Sequence, residues 1–435
     1  MFLGDIDSVK TALRKPLTAL FAAASLAAAP TALADAVTEW NAFVDPLPLG
    51  PPPVRARATA IMHIAMHDAL NSVQPRYDSY TDVPRARRGA SAEAAARQAA
   101  ASALKGAAPA VAAAVDAYHG TWLASCTGQP CLDGLAAGEA AANAILLLRT
   151  GDGSATPHLP YTLPPGLGVY QPTPVTPATP GPDLPPVAPQ FAGWANVTPF
   201  VLKSGSQFRA EPSLMFDLQS WLYTRDYNEV KRVGEVDSEA QGNRTADQSM
   251  IARFWPGGGA NINAVARVIA AGRNLDLWQH ARLFALVNIA ISDSAVAVFD
   301  TKYTYNFWRP VTAIRAGAAD GNPFTAGDAA WQSYQNTPPY PDYTCGLTNN
   351  VGAGLAAVRS YFGTDRIGYT LTTPGGLTRS YKSLSQAGFE AVDARVFGGM
   401  HFRAGCVRGL IQGGQVGRYA FNHSLKPLRP EHRHQ

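Results

Sequence analysis

The chain has 435 residues, with 36 Lys and Arg against 32 Asp and Glu; the net charge of +4 is scattered rather than massed, which argues against a nucleic-acid surface. Hydrophobic residues make up 46% and charged ones 16%, enough apolar material for one large domain or two ordinary ones. Past the N-terminal region no stretch reaches the roughly 18 uninterrupted apolar residues of a membrane helix, so no membrane span is expected and the mature chain reads as soluble.

Lys10, Arg14 and Lys15 form a basic lead-in, the run from Leu17 to Ala29 is apolar and Ala-rich, and Ala32-Leu33-Ala34 has the small-x-small form of a signal peptidase site. The expectation is a signal peptide over 1–34, cleavage near Ala34, and a secreted or periplasmic protein. Four cysteines in an exported chain suggest two disulfides. Cys126 and Cys131 flank the turn Thr-Gly-Gln-Pro and suit a local bridge, which leaves Cys345 with Cys406.

After the Pro-rich entry 46–53, Arg55 to Val73 carries apolar residues at helical spacing, and Ser91 to Val115 reads as an alanine-rich helix with Ser91 as N-cap. Gly134 to Arg149 repeats that style. From 151 to 200 the composition turns to Pro, Thr and Gly, either a linker between two domains or a strap laid over one. Helical signals resume over 211–231, 237–254, 264–271, 276–298, 303–316, 348–362, 383–396 and 401–422. Tyr369 to Tyr381 allows a small hairpin, and no block of β-branched residues is long enough for a sheet core. The class is all-α.

Three segments carry the chemistry. In Lys302-Tyr-Thr-Tyr-Asn-Phe-Trp-Arg309-Pro310 the two cations are seven apart and would share a face on a continuous helix, with no local carboxylate. Pro341-Asp342-Tyr343-Thr344-Cys345-Gly346-Leu347-Thr348 is a turn running into a helix, where Gly346 lets a backbone N–H approach an anion. Arg395-Val-Phe-Gly398-Gly399-Met-His401 breaks one helix before His401 opens the next. Together these groups suit a tetrahedral oxyanion: guanidinium forks and an ammonium hold oxygens, and a neutral imidazole can bond the central atom.

The order Lys-x6-Arg-Pro, then a Gly-bearing loop, then Arg-x5-His resembles the signature of the vanadium-dependent haloperoxidase and type 2 phosphatidic acid phosphatase superfamily. The stretch Ala281 to Arg315, the run Pro338 to Tyr343, and Gly398-Gly-Met-His-Phe402 are similar to secreted bacterial members, as is the helix from Arg55 to Tyr77. The resemblance implies one helical-bundle domain over 35–435, with 151–200 as a Pro-rich surface strap. It implies vanadate as cofactor, with phosphate as a competing ligand. His401 would be the axial ligand, and Lys302, Arg309, Arg395 and the Gly346 amide would hold the oxygens. Lys302 would also polarise peroxide.

The pattern departs from the family at Thr344-Cys345-Gly346-Leu347, where the family has Pro-Ser-Gly-His, and at Ala394, where it has Ser. Leu347 removes the acid–base imidazole, a loss of about 10²–10⁴ in rate. The expected activity is therefore halide oxidation by hydrogen peroxide onto a small organic acceptor, attenuated. Alternatives are a phosphohydrolase acting on a phosphate ester through phospho-His401, and a non-catalytic oxyanion binder. His63 and His67, one helical turn apart, read as core residues, and Asp293 and Asp300 as buried paired groups or supports for Lys302 and Arg309. A Cys345–Cys406 bridge would staple the Gly346 loop to the His401 helix.

Overall fold

The computed structural model describes residues 35–175, 183–257 and 259–428, so the expected signal peptide and the tail histidines His432 and His434 lie outside the described residues. The order of elements is α1 (Ala36–Phe43), α2 (Pro52–Val73), α3 (Ala92–Ala107), α4 (Ala112–Leu123), α5 (Gly128–Leu148), α6 (Trp221–Val233), α7 (Ala246–Phe254), α8 (Gly259–Ala271), α9 (Leu277–Tyr305), α10 (Pro310–Ala316) and α11 (Gly346–Phe362). An antiparallel hairpin, β1 (Tyr369–Thr372) with β2 (Thr378–Tyr381), precedes α12 (Leu384–Phe397) and α13 (Arg403–His423). The fold is all-α apart from that hairpin.

Local chemistry sets many boundaries. The Asp276 carboxylate accepts from Gln279 N while the Gln279 side chain returns to Asp276 N, a capping box that starts α9. Pro52 at the first position starts α2, and Pro109 interrupts the alanine run, so the single helix expected over 91–115 is two, α3 and α4. The Cys126–Cys131 disulfide forms, with Cα atoms 5.7 Å apart, and staples the α4–α5 turn.

α9 is the axle of the bundle. It is buried along nearly its whole length and packs against α2, α11 and α13. Two helices, α5 and α9, are long and apolar enough to cross a membrane; the apolar stretch of α9 is enclosed by its neighbours, whereas Leu132, Leu147 and Leu148 of α5 are exposed. α11 and α13 approach so closely that a Cβ on Gly413 would meet Asn349 O at 1.9 Å, so only glycine fits there.

The Pro-rich segment lies along α9. Phe191, Trp194 and Val197 pack on Val296, Val298 and Phe299, and Tyr170 N donates to Asn306 O at 2.7 Å. Asp293, buried in mid-α9, accepts from Phe200 N, Val201 N and Leu202 N at 2.5, 2.7 and 3.0 Å. Its carboxylate anchors the segment. Asp300 pairs with Arg209 at 2.7 Å. Neither aspartate supports Lys302 or Arg309, because each is already committed to the segment that covers α9.

Candidate functional site

The site begins where α9 ends. Lys302 is fully buried in the last turn, and its Nζ donates to Pro341 O at 2.6 Å and Asp342 O at 2.9 Å. Burial, and then the neighbouring Arg309, hold its pKa well below the usual lysine value. Asn306 follows in the left-handed conformation, φ 51°, and turns the chain sharply. The continuous helix expected from Lys302 to Arg309 is therefore broken. Arg309 instead precedes α10 as its N-cap, with Pro310 at the first helical position, and meets Lys302 through the turn rather than along one helical face.

Arg309 is also fully buried. Its Nε donates to Tyr340 O at 2.7 Å and its Nη1 to Met400 O at 2.9 Å, while Nη1 also lies 2.9 Å from His401 Nε2. Its Nη2 has no partner. The Tyr340 ring underlies both cations, 5.0 Å from Lys302 Nζ and 5.1 Å from the Arg309 guanidinium carbon.

Arg395 ends α12 and His401 lies just beyond it. Between them Gly399 adopts φ +79°, and Gly234 at the end of α6 presses on that turn: a Cβ on Gly234 would lie 2.5 Å from Gly399 Cα. This close packing sets the path of the chain into His401. Asp342 Oδ1 is 2.8 Å from His401 Nδ1 and 3.8 Å from Arg309 Nη1, an electrostatic contact too bent for an aligned hydrogen bond. A carboxylate there favours the proton on Nδ1, leaving the Nε2 lone pair to face Arg309. Nothing in the residue pattern singled out Asp342 for this contact, although it sits three residues before Cys345 in the same loop.

Gly346 opens α11 close to Lys302; the nearest atom to a Cβ placed on it would be Lys302 Cε at 4.0 Å. Thr344 is buried and donates to Gln412 Oε1 at 2.8 Å, and Ala394 is buried in α12. A cavity of about 210 Å³ is lined by Gly346, Leu347, Tyr340, Arg395, His401 and, on its apolar side, Phe299. Arg395 is 8% exposed and its Nε is buried without a partner. Among the described residues no carboxylate lies within ion-pairing distance of Arg395.

Lys302, Arg309, Gly346, Arg395 and His401 are thus drawn to one place, where the cations outnumber the single carboxylate, Asp342. Two buried guanidinium nitrogens without partners are costly unless something anionic takes them up. That donor set fits a four-oxygen anion.

The expected Cys345–Cys406 bridge is not formed. Both are free buried thiols, in hydrogen-bond contact with each other rather than at bonding distance. Burial opposes ionisation of Cys345, but the Cys406 hydrogen bond and His401 hold its pKa well below the ordinary thiol value, while burial and Cys345 push Cys406 up. The other described histidines stand apart. His63 Nε2 lies 2.9 Å from Asn41 Nδ2 and His67 Nδ1 lies 2.9 Å from Asp68 Oδ1, which makes them core groups. His119 meets Gln98, His158 accepts from Phe191 N, His280 pairs with Asp35, and His423 meets Tyr419 O.

Residues 282–430, which contain all of these site residues, match the family model of the VCPO second helical-bundle domain. That match takes in 149 of the 435 residues and makes this part of the chain similar to the vanadium chloroperoxidases. It is similar to the vanadium chloroperoxidase of Curvularia inaequalis, at 29% identity over 170 residues, a match spanning 32% of this chain and 27% of the length of that enzyme. Among solved structures, a bacterial vanadium-dependent iodoperoxidase superposes with a TM-score of 0.75 at 24% identity, covering 91% of this chain and 96% of that one. A bacterial vanadium-dependent chloroperoxidase in its apo form gives 0.70 at 19% identity, covering 86% and 95%. These superpositions establish the haloperoxidase fold.

Proposed function

We propose that this chain is a vanadate-dependent haloperoxidase-like enzyme that oxidises halide with hydrogen peroxide, at a rate lowered by Leu347. One observation carries the reading: Arg395, which lines the cavity with His401, has a buried Nε without a partner, and Arg309, in contact with His401 behind it, has a buried Nη2 without one. Vanadate fits this donor set, and when bound it would supply a Lewis-acidic centre that activates peroxide toward halide.

The residues divide the work. Arg309, Arg395 and the Gly346 amide would hold oxygens, and His401 Nε2 would exchange its contact with Arg309 Nη1, 2.9 Å in the free protein, for one with the central atom. Lys302, already giving two hydrogen bonds to Pro341 O and Asp342 O, has one N–H left to direct at the anion. Proton movement is the weak point. Among the described cavity-lining residues the only ionisable groups besides His401 are Arg395 and the Tyr340 hydroxyl, whose pKa burial raises. Leu347 can neither give nor take a proton, so turnover should fall by about 10²–10⁴ relative to a site with a placed acid–base group.

The test is halogenation of an activated β-diketone by the full chain with peroxide and each halide, with and without vanadate. Slow, vanadate-stimulated turnover that phosphate suppresses is expected. Leu347 favours one rival, an oxyanion binder without turnover; tight vanadate binding by calorimetry with no stimulated halogenation would establish that rival instead.

A further inference from the structure

Cys345 and Cys406 are the buried reactive groups that the proposed chemistry leaves unused. Their sulfurs and a ring nitrogen of His401 all lie within 4.8 Å of one another. The backbone holds the pair together independently of sulfur. Cys345 N donates to Gly405 O at 3.1 Å, and the Thr348 hydroxyl reaches Cys345 O at 3.2 Å and Cys406 O at 2.8 Å. Gly409 makes this approach feasible, since a Cβ there would meet Cys345 O at 2.6 Å. Val392 and Leu347 complete an apolar jacket around the two thiols.

The positions differ in access. Cys345 precedes Gly346 and Leu347, which line the cavity, and it touches His401, which also lines it. Cys406 sits behind it in the first turn of α13. Both thiols are fully buried and neither lines the cavity, so a small oxidant reaches Cys345 by passing Gly346, Leu347 or His401 and finds Cys406 in contact with it.

We infer that Cys345 and Cys406 form a peroxide-oxidisable dithiol, a covalent modification site beside the oxyanion pocket. The Cys345 sulfur attacks one peroxide oxygen, the O–O bond breaks, and the thiol proton leaves with the departing oxygen as water, giving a sulfenic acid. The Cys406 sulfur then attacks the Cys345 sulfur, and the sulfenic hydroxyl leaves with the Cys406 proton as a second water. One peroxide is reduced and two thiols are oxidised to a disulfide. The sulfurs have to close to about 2.0 Å for this. The resulting bond would tie the start of α11, with its Gly346 amide, to the helix that follows His401. The inference rests on the proposed function only for the presence of peroxide.

The experiment uses the full-length chain, reduced and desalted, free of vanadate and halide, with hydrogen peroxide as the probe. Peptide mapping without reduction is expected to show a Cys345–Cys406 cross-link and loss of both thiols at close to one equivalent of peroxide. A chain isolated already bridged, which loses the bridge on reduction and regains it with peroxide, carries the same conclusion. In Cys406→Ser, Cys345 should be trapped by dimedone as the sulfenic acid, whereas in Cys345→Ser the remaining thiol should persist. Thiols that survive excess peroxide in the native chain, or that pass to sulfinic acids without bridging, would overturn the inference. Halogenation is not measured in this experiment, so its outcome leaves the peroxidase reading to its own assay.

Discussion

Replacing Arg395 with methionine separates a binding role from a structural one. The guanidinium is nine-tenths buried and its Nε has no partner, so in the free protein it contributes an uncompensated desolvation cost. Methionine keeps most of the side-chain volume and removes that cost, so the melting point of the anion-free variant should hold or rise. Bound to an oxyanion, the same nitrogen makes a charge-assisted hydrogen bond of about 1.5–3 kcal/mol, and its loss should weaken vanadate or phosphate binding by about 10- to 150-fold. Calorimetry gives the affinity and scanning fluorimetry the stability. Wild type should gain about 2.7 kcal/mol from vanadate at a hundredfold excess over Kd, and at that same concentration the variant should gain only about 0.3–1.4 kcal/mol. An R395M protein that binds vanadate as wild type does, or that is several kcal/mol less stable without anion, would show that Arg395 serves packing and would refute the pocket.

Leu347→His should raise vanadate-stimulated halogenation by about 10²–10⁴, at a small cost in stability because Leu347 packs against the thiol pair; unchanged turnover in a folded variant would mean that proton transfer is not what limits this site. Gly234→Ala should cost about 1–3 kcal/mol by overpacking, since the added Cβ would lie 2.6 Å from Val230 O as well as against Gly399, and anion affinity should fall with it as the turn into His401 shifts. Denaturant titrations and calorimetry on the same preparation check both. His63 is fully buried and its pKa is lowered by burial to about 3. A histidine with a depressed folded pKa favours folding above its unfolded value, near 6.5, and that stability is lost as the pH falls from about 6.5 toward 3, up to about 5 kcal/mol. Asp293, raised by burial to about 6, acts in the opposite sense, its contribution being lost as the pH rises from about 4 to 6. His63→Gln should therefore flatten the acid limb of the stability curve, and an unchanged acid limb would contradict the burial argument.

Helical periodicity and caps made most of the bundle legible. α2, α11, α12 and α13 fall within about three residues of their expected spans, α5 starts at Gly128 rather than Gly134, and the hairpin lies within Tyr369 to Tyr381 as expected. The failures have local causes. The join between α9 and α10 was obscured because no proline or glycine stands at Asn306, and asparagine takes the left-handed turn there. Asp293 is the buried, paired group that its place in α9 allows, but its partners are amides about ninety residues upstream, which periodicity within α9 does not encode. The cysteine pairing followed from counting, and counting misses that two adjacent sulfurs can rest as thiols in an apolar jacket. Asp342 carries no signal of its own in the sequence, because its partner, His401, is brought to it through the close Gly234–Gly399 packing between α6 and the loop before α13, a tertiary feature with no sequence period.

The substitutions in this pocket fall on one side of its chemistry. The groups proposed to bind the anion through charge or a directed N–H are all present, with Lys302, Arg309 and Arg395 buried and Gly346 half-buried. The change at Leu347 removes proton transfer, which depends on a different residue, and it adds apolar surface that covers Cys345 and Cys406. Binding and proton movement are therefore separable here. Because unpartnered buried guanidinium groups lower stability, a pocket with no anion to hold would be more stable with them replaced. Oxyanion affinity should accordingly persist where turnover is reduced, and the ratio of the two, compared before and after Leu347→His, measures how much of the reaction the cationic pocket supports unaided.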